Sequence, residues 1–133
     1  MAGKPVMDEM QARKLIREER NRQITSEGWT REHDDLDHDD GSLAWAGTCY
    51  LLNAMGRCVI GSNGAPLGWP WDIKSWKPKD PVRDLVRAGA LYMAEKERLH
   101  RLPGSHELKY MRSGRMNPRI DHVIRLLKAH SVG

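Results

Sequence analysis

Residues 80–104 read DPVRDLVRAGALYMAEKERLHRLPG, and their reading decides the fold. Asp80 followed by Pro81 is a helix-start signal: the aspartate can accept from a free amide of the first turn, and proline has no amide to leave unpaired there. Val82, Leu85, Val86, Gly89 and Met93 then recur at helical spacing, and Pro103-Gly104 ends the run. At about 100° per residue, Asp84, Ala88, Leu91, Glu95 and Arg98 gather within an arc of about 80° on the opposite side. A carboxylate-plus-arginine face is a solvent face more often than a site. If the helix is instead packed on every side, that face lines the interior, and each charge on it needs a counter-charge or a cation.

Just upstream, residues 57–81 hold Gly61, Gly64 and Gly68, prolines at 66, 70, 78 and 81, and Trp69, Trp71 and Trp76, a composition that predicts a long loop. Before it, SLAWAGTCYLLNAM (residues 42–55) is apolar or small at nearly every helical angle, as in a helix surrounded by partners, so it is expected to be the central helix, with Asp39 or Asp40 capping its start. Residues 7–26 lack glycine and proline and predict a first helix, with Met7, Met10 and Leu15 in one arc and Glu18, Glu19, Arg20 and Arg22 as a charged surface. Ser105 to Arg112 suggests a short helical turn. Asn117-Pro118 then opens a last helix, whose Ile120, Val123, Ile124 and Leu127 lie opposite His122, Arg125 and Lys128. No stretch alternates as a strand does. The expected fold is all-α, a bundle of about four helices with a long Trp/Pro-rich loop between the second and third. Residues 1–102 form the helical core in this reading, and residues 103–133 a basic helical extension packed on the same domain.

At 133 residues the chain is one domain by length. No apolar run is long enough to cross a bilayer and the N-terminus has no secretory signal, so a cytoplasmic protein is expected. Cys49 and Cys58 are not in a metal-ligand pattern and are expected reduced. The net charge of +4 is unevenly spread: residues 1–40 sum to −4, residues 41–100 to +3 and residues 101–133 to +5. Opposite-sign halves suit head-to-tail pairing, or an acidic site in one half and an anion-binding surface in the other, and a homodimer is the expected assembly.

Two stretches carry chemistry. Between Glu27 and Gly41 the run EGWTREHDDLDHDDG holds seven carboxylates and two histidines. Carboxylates suit hard cations such as Mg²⁺ or Mn²⁺, and histidine with carboxylate can also take Zn²⁺ or a non-haem iron, which makes Glu32, His33, Asp35, Asp39 and Asp40 candidate ligands, while Trp29 argues against a wholly solvated loop. The spacing fits neither an EF-hand nor a zinc-protease helix. In the loop, GWPWDIKSWKPKD combines Trp69, Trp71 and Trp76 with Lys74, Lys77 and Lys79, the ingredients of a nucleotide clamp; tryptophans bracketed by proline equally serve to pin a loop to a core. No Gly-rich phosphate loop and no nucleophile triad can be found.

The series EERNRQ (18–23), EGWTREHDD (27–35), GSLAWA (41–46), WPW (69–71), WKP (76–78) and RDLVRAGALYMAEKERL (83–99) resembles a family of small phage and prophage proteins of unassigned function. The resemblance covers roughly Ile16 to Arg101. That layout is more loosely similar to MazG-like nucleotide pyrophosphohydrolases, which are helical and commonly oligomeric. The similarity implies Mg²⁺ or Mn²⁺ on Asp39, Asp40, Asp84 and Glu95, phosphate contacts from Arg20 and Lys77 with Arg83 beside them, and cleavage of nucleoside triphosphates. Ser42 stands where the relatives carry a glutamate, a departure that implies either ligands elsewhere in the acidic run or binding without hydrolysis. The readings to be weighed are therefore a nucleotide- and metal-binding protein of this ancestry, a non-catalytic binder that sequesters a nucleotide signal or blocks a host defence protein, and, last, nucleic-acid binding through the basic terminal helix.

Overall fold

The computed structural model describes residues 7–26 and 41–132. Five α-helices stand among them: α1 (Glu9–Ser26), α2 (Ser42–Ala54), α3 (Pro81–Arg101), α4 (His106–Gly114) and α5 (Asn117–Val132). The chain is a small all-α bundle, as the periodicities indicate.

Local chemistry explains the helix starts. Asp8 and Gln11 form a reciprocal capping box, the Gln11 amide donating to Asp8 Oδ1 (2.8 Å) and the Asp8 amide to Gln11 Oε1 (3.3 Å). Asp80 Oδ1 accepts from the Arg83 amide (2.9 Å) with Pro81 in the first turn, and Ser105 Oγ accepts from the Leu108 amide (3.1 Å). At α2 the cap position is Gly41, at φ 83°, and the expected caps precede it. Asp39 and Asp40 lie outside the described residues. At α5, Asn117 is the first helical residue, and its side chain accepts instead from Lys96 Nζ (2.7 Å).

The centre of the bundle is α3 rather than α2. It packs against α1, α2, α4 and α5, and residues on all its sides are buried, from Asp84 through Leu91 and Tyr92 to Arg98. The apolar reading of α2 misled because one of its sides faces solvent, with Trp45 61 % exposed. The core comprises Ile16 of α1, Leu43 and Tyr50 of α2, Leu85, Val86, Leu91 and Tyr92 of α3, and Ile120, Val123, Ile124 and Leu127 of α5. Across α2, α3 and α5 a polar bridge closes: Tyr92 Oη meets Thr48 Oγ1 (2.8 Å), which also accepts from Arg119 (3.1 Å).

A second correction concerns α1. Met10 is 77 % exposed, and the inward face is Ala12, Ile16, Glu19, Arg20 and Gln23. The helix thus turns an apolar first half and a charged second half toward α3. The charges are tolerated there because partners meet them: Arg20 donates to Glu97 Oε2 (3.1 Å) and Glu19 accepts from Arg83 (2.8 Å).

Residues 55–80 hold only a short antiparallel bridge, Ile60 with Pro66, and a 3₁₀ turn at Ile73–Ser75 capped by Asp72. Cys49, buried on α2, has its thiol pushed up to about 11 by burial and by Cys58, whose own thiol burial also raises. Only about one Cys49 side chain in a thousand is then thiolate at pH 8, and thiolate is the reactive form. Native protein is therefore expected to take up iodoacetamide at Cys58 and to modify Cys49 only after denaturation. Equal labelling of both in the native state, read by peptide mass, would contradict this burial.

Candidate functional site

The inward-facing charges of α1 meet α2, α3 and the end of the Trp-rich loop in a small polar cleft. Its lining includes Glu19 and Gln23 of α1, Tyr50 of α2, Lys77 of the loop and Arg87 of α3. Glu19 is the anchor. Arg22 grips its carboxylate with two hydrogen bonds (2.7 and 2.8 Å), Arg83 adds one (2.8 Å) and the Gln23 amide another (3.2 Å). Burial alone would push this carboxyl up, but the hydrogen bond and charge of Arg22, the charge of Arg83 and the Gln23 amide outweigh it and hold Glu19 below its ordinary value. It is an ionised, fully engaged group.

Tyr50 fixes the loop. Its hydroxyl accepts from the Lys77 amide (3.2 Å), the Arg87 guanidinium donates to the Lys77 carbonyl and lies 5.7 Å from the Tyr50 ring centroid, and Asp84 Oδ1 accepts from the Lys79 amide (2.8 Å). Burial raises the Tyr50 phenol, so the hydroxyl is neutral. Two polar atoms in this cleft remain without partners: Gln23 Oε1, an acceptor, and Arg87 Nε, a donor. Both belong to buried residues, 2 % and 8 % exposed. An unmet buried polar atom costs about 1–3 kcal/mol, and the two residues that carry these atoms line the same cleft. The cleft volume of about 30 Å³ admits a hydroxyl or a water.

The candidates read from the sequence divide accordingly. Lys77 and Arg83 belong to this cluster, Lys77 as lining and Arg83 through Glu19. Arg20 does not: it pairs with Glu97. Trp69, Trp71 and Trp76 pack on one another and on Tyr50, with Trp76 4.7 Å from the Tyr50 ring and Trp69 5.0 Å from Trp76. They pin the loop. Glu32, His33, Asp35, Asp39 and Asp40 lie outside the described residues. Asp84 and Glu95 are both buried, yet eleven residues of α3 separate them, about 16 Å along the axis. Paired metal ions stand about 4 Å apart and bind oxygens at about 2 Å, so these two carboxylates cannot serve one centre. Chain donors already engage each: Asn53 Nδ2 (2.9 Å) and the Lys79 amide on Asp84, and Arg98 (2.6 and 3.2 Å) on Glu95. Glu95 sits where α2 begins, since a Cβ at Gly41 would lie 4.0 Å from its Oε2. Among the described residues no three His, Cys, Asp or Glu side chains are grouped to hold a metal.

Sequence reasoning missed Glu19, Gln23, Arg87 and Tyr50 as a unit. One signal was available: Glu19 and Gln23 continue the Ala12–Ile16 spacing, so they share its inward face. No family model, curated protein or solved structure matches the chain. No helix among the described residues is long and apolar enough to cross a membrane.

Proposed function

We propose that this protein binds a nucleotide-class ligand at the Glu19 cleft and retains it rather than turning it over. The observation that carries this reading is the unmet pair Gln23 Oε1 and Arg87 Nε. A sugar hydroxyl donates to the first and accepts from the second. Phosphates beyond it meet Arg22 and Lys77, which line the cleft, and Arg83 on Glu19. Retention is favoured over hydrolysis because the cleft's carboxylate is saturated by arginines and because Ser42 stands where the similar phage proteins carry a glutamate. Descent from MazG-like pyrophosphohydrolases rests on the order of the motifs, and a homodimer and a host-protein target belong to the same proposal.

Calorimetry with a panel of nucleoside di- and triphosphates, with and without Mg²⁺ or Mn²⁺, tests it. Binding is expected with no release of pyrophosphate. Arg87→Gln should weaken binding about tenfold to a hundredfold, the worth of one charge-assisted hydrogen bond. Lys77→Ala, whose side chain is exposed, should weaken it several-fold while leaving the melting temperature in place. Pyrophosphate release would restore the enzyme reading. If no nucleotide binds, the proposal fails.

A further inference from the structure

A second, much larger cleft opens between α3, α4 and α5. Its volume is about 610 Å³, against about 30 Å³ at Glu19 and about 60 Å³ for a cleft between α1 and α5 beside Ile16 and Ile124. Protein interiors are close-packed, so an opening of this size is built by what the sequence leaves out. Ser113 and Gly114, at the end of α4, put almost no side chain into it. Its size falls in the range of small-molecule sites, about 300–1,000 Å³.

The walls define the ligand. Lys96 lines it with a positive charge, Arg101 adds a second that already has an interaction within the chain, and the one carboxylate among the described lining residues, Glu97, is engaged by Arg20 at 3.1 Å. Lys96 Nζ is held 2.7 Å from Asn117 Oδ1, and Asn117 is the first residue of the 16-residue α5. The ammonium and the positive end of that helix therefore act on the same part of the cleft, which favours an anion there. Tyr110, 58 % exposed, presents a ring whose neighbours are His100 at 5.1 Å and His106 at 4.7 Å, both edge-on. Met93 lines the same cleft with a polarisable thioether, which packs well on aromatic rings.

We infer that this cleft is a binding site for a nucleoside monophosphate, its base against Met93 and Tyr110 and its phosphate against Lys96, Arg101 and the start of α5. It shares no lining residue with the Glu19 cleft and does not rest on the function proposed for that cleft.

The experiment is a titration of the full chain, labelled with ¹³C at the methionine methyl groups, in which Met93 is assigned through Met93→Leu. Adenosine 5′-monophosphate is expected to shift the Met93 signal saturably, with adenosine and inorganic phosphate at least tenfold weaker. Lys96→Gln with Arg101→Gln should weaken the monophosphate tenfold or more and leave adenosine unchanged. Gly114→Leu should abolish the response by filling the cleft. A Cβ there meets nothing closer than Asn117 Nδ2 at 3.9 Å, an ordinary contact, and an unchanged circular dichroism spectrum would show that the fold is retained. Arg87→Gln should leave the Met93 titration as it was, which separates this site from the Glu19 cleft. A Met93 signal that stays fixed at millimolar monophosphate overturns the inference. So does a response that survives Gly114→Leu, or one that adenosine matches.

Discussion

Gly89→Leu is expected to destabilise the protein by about 3 kcal/mol or more, enough to unfold a domain of ordinary stability at its working temperature. Gly89 lies midway along α3, facing Ile16 of α1 and Val123 of α5. A Cβ built there stands 2.7 Å from Ile16 Cδ1, 2.8 Å from Ile16 Cγ1 and 3.3 Å from Val123 Cγ1. Both neighbours are buried, Ile16 at 1 % and Val123 at 0 % exposure. Ile16 is β-branched and stiff in a helix, so it cannot swing away without leaving its rotamer. A single methyl is a different case. Gly89→Ala recovers about 1 kcal/mol of helix propensity and incurs about 1–3 kcal/mol of overpacking, so its net loss should stay below about 2 kcal/mol. The decisive comparison adds Ile16→Ala to Gly89→Leu, because leucine can then occupy the space the isoleucine leaves. Urea unfolding should show the pair more stable than the sum of the single losses predicts. Strict additivity would mean that the close approach of α1 to α3 is not what requires glycine.

Gly89 also shows what the sequence reveals and what it conceals. Helix limits were legible because their signals are local: Asp80-Pro81, Ser105 and Pro103-Gly104 act within one turn of the ends they mark. The all-α class followed from the same periodicity. Burial of charge was not legible, because its cause is remote in sequence. Glu19 and Arg20 read as surface when α1 is taken alone, and they become interior only because Arg83 and Glu97 of α3 are there to meet them. The same reasoning misplaced the centre of the bundle. An apolar α2 looked surrounded and a charged α3 looked half-solvated, yet Asp84, Arg87, Glu95 and Arg98 are all buried, each with a partner from the chain. In the candidate cleft, Lys77 and Arg83 stood out as phosphate-type residues on a loop and at a helix start. Tyr50 and Arg87 did not, since nothing local distinguishes a tyrosine or an arginine that closes a tether from one that packs or points to water.

Glu19→Gln is expected to cost about 3 kcal/mol at pH 7 and progressively less as the pH falls. The side chain of Glu19 is fully buried, and removing its charge leaves Arg22 and Arg83 without their counter-ion. Breaking a buried pair costs about 3–5 kcal/mol; the lower end applies because Arg22 and Arg83 remain 39 % and 36 % exposed and can be rehydrated. The pH dependence follows from the direction of the shift. The folded state holds the Glu19 carboxyl below its unfolded value, so its contribution is fully present above that unfolded value, about 4.3, and is lost as the pH falls through the folded one. Wild type should therefore lose stability between about pH 5 and pH 3 more steeply than Glu19→Gln, and the two urea midpoints should converge. Arg83→Gln should remove part of that steepness while leaving the rest to Arg22, whose two hydrogen bonds hold the same carboxylate. A Glu19→Gln protein whose acid limb parallels the wild type from pH 7 to pH 3 would show that Glu19 is not held ionised by this cluster. It would also remove the fixed anion that orients Gln23 and the arginines around the Glu19 cleft.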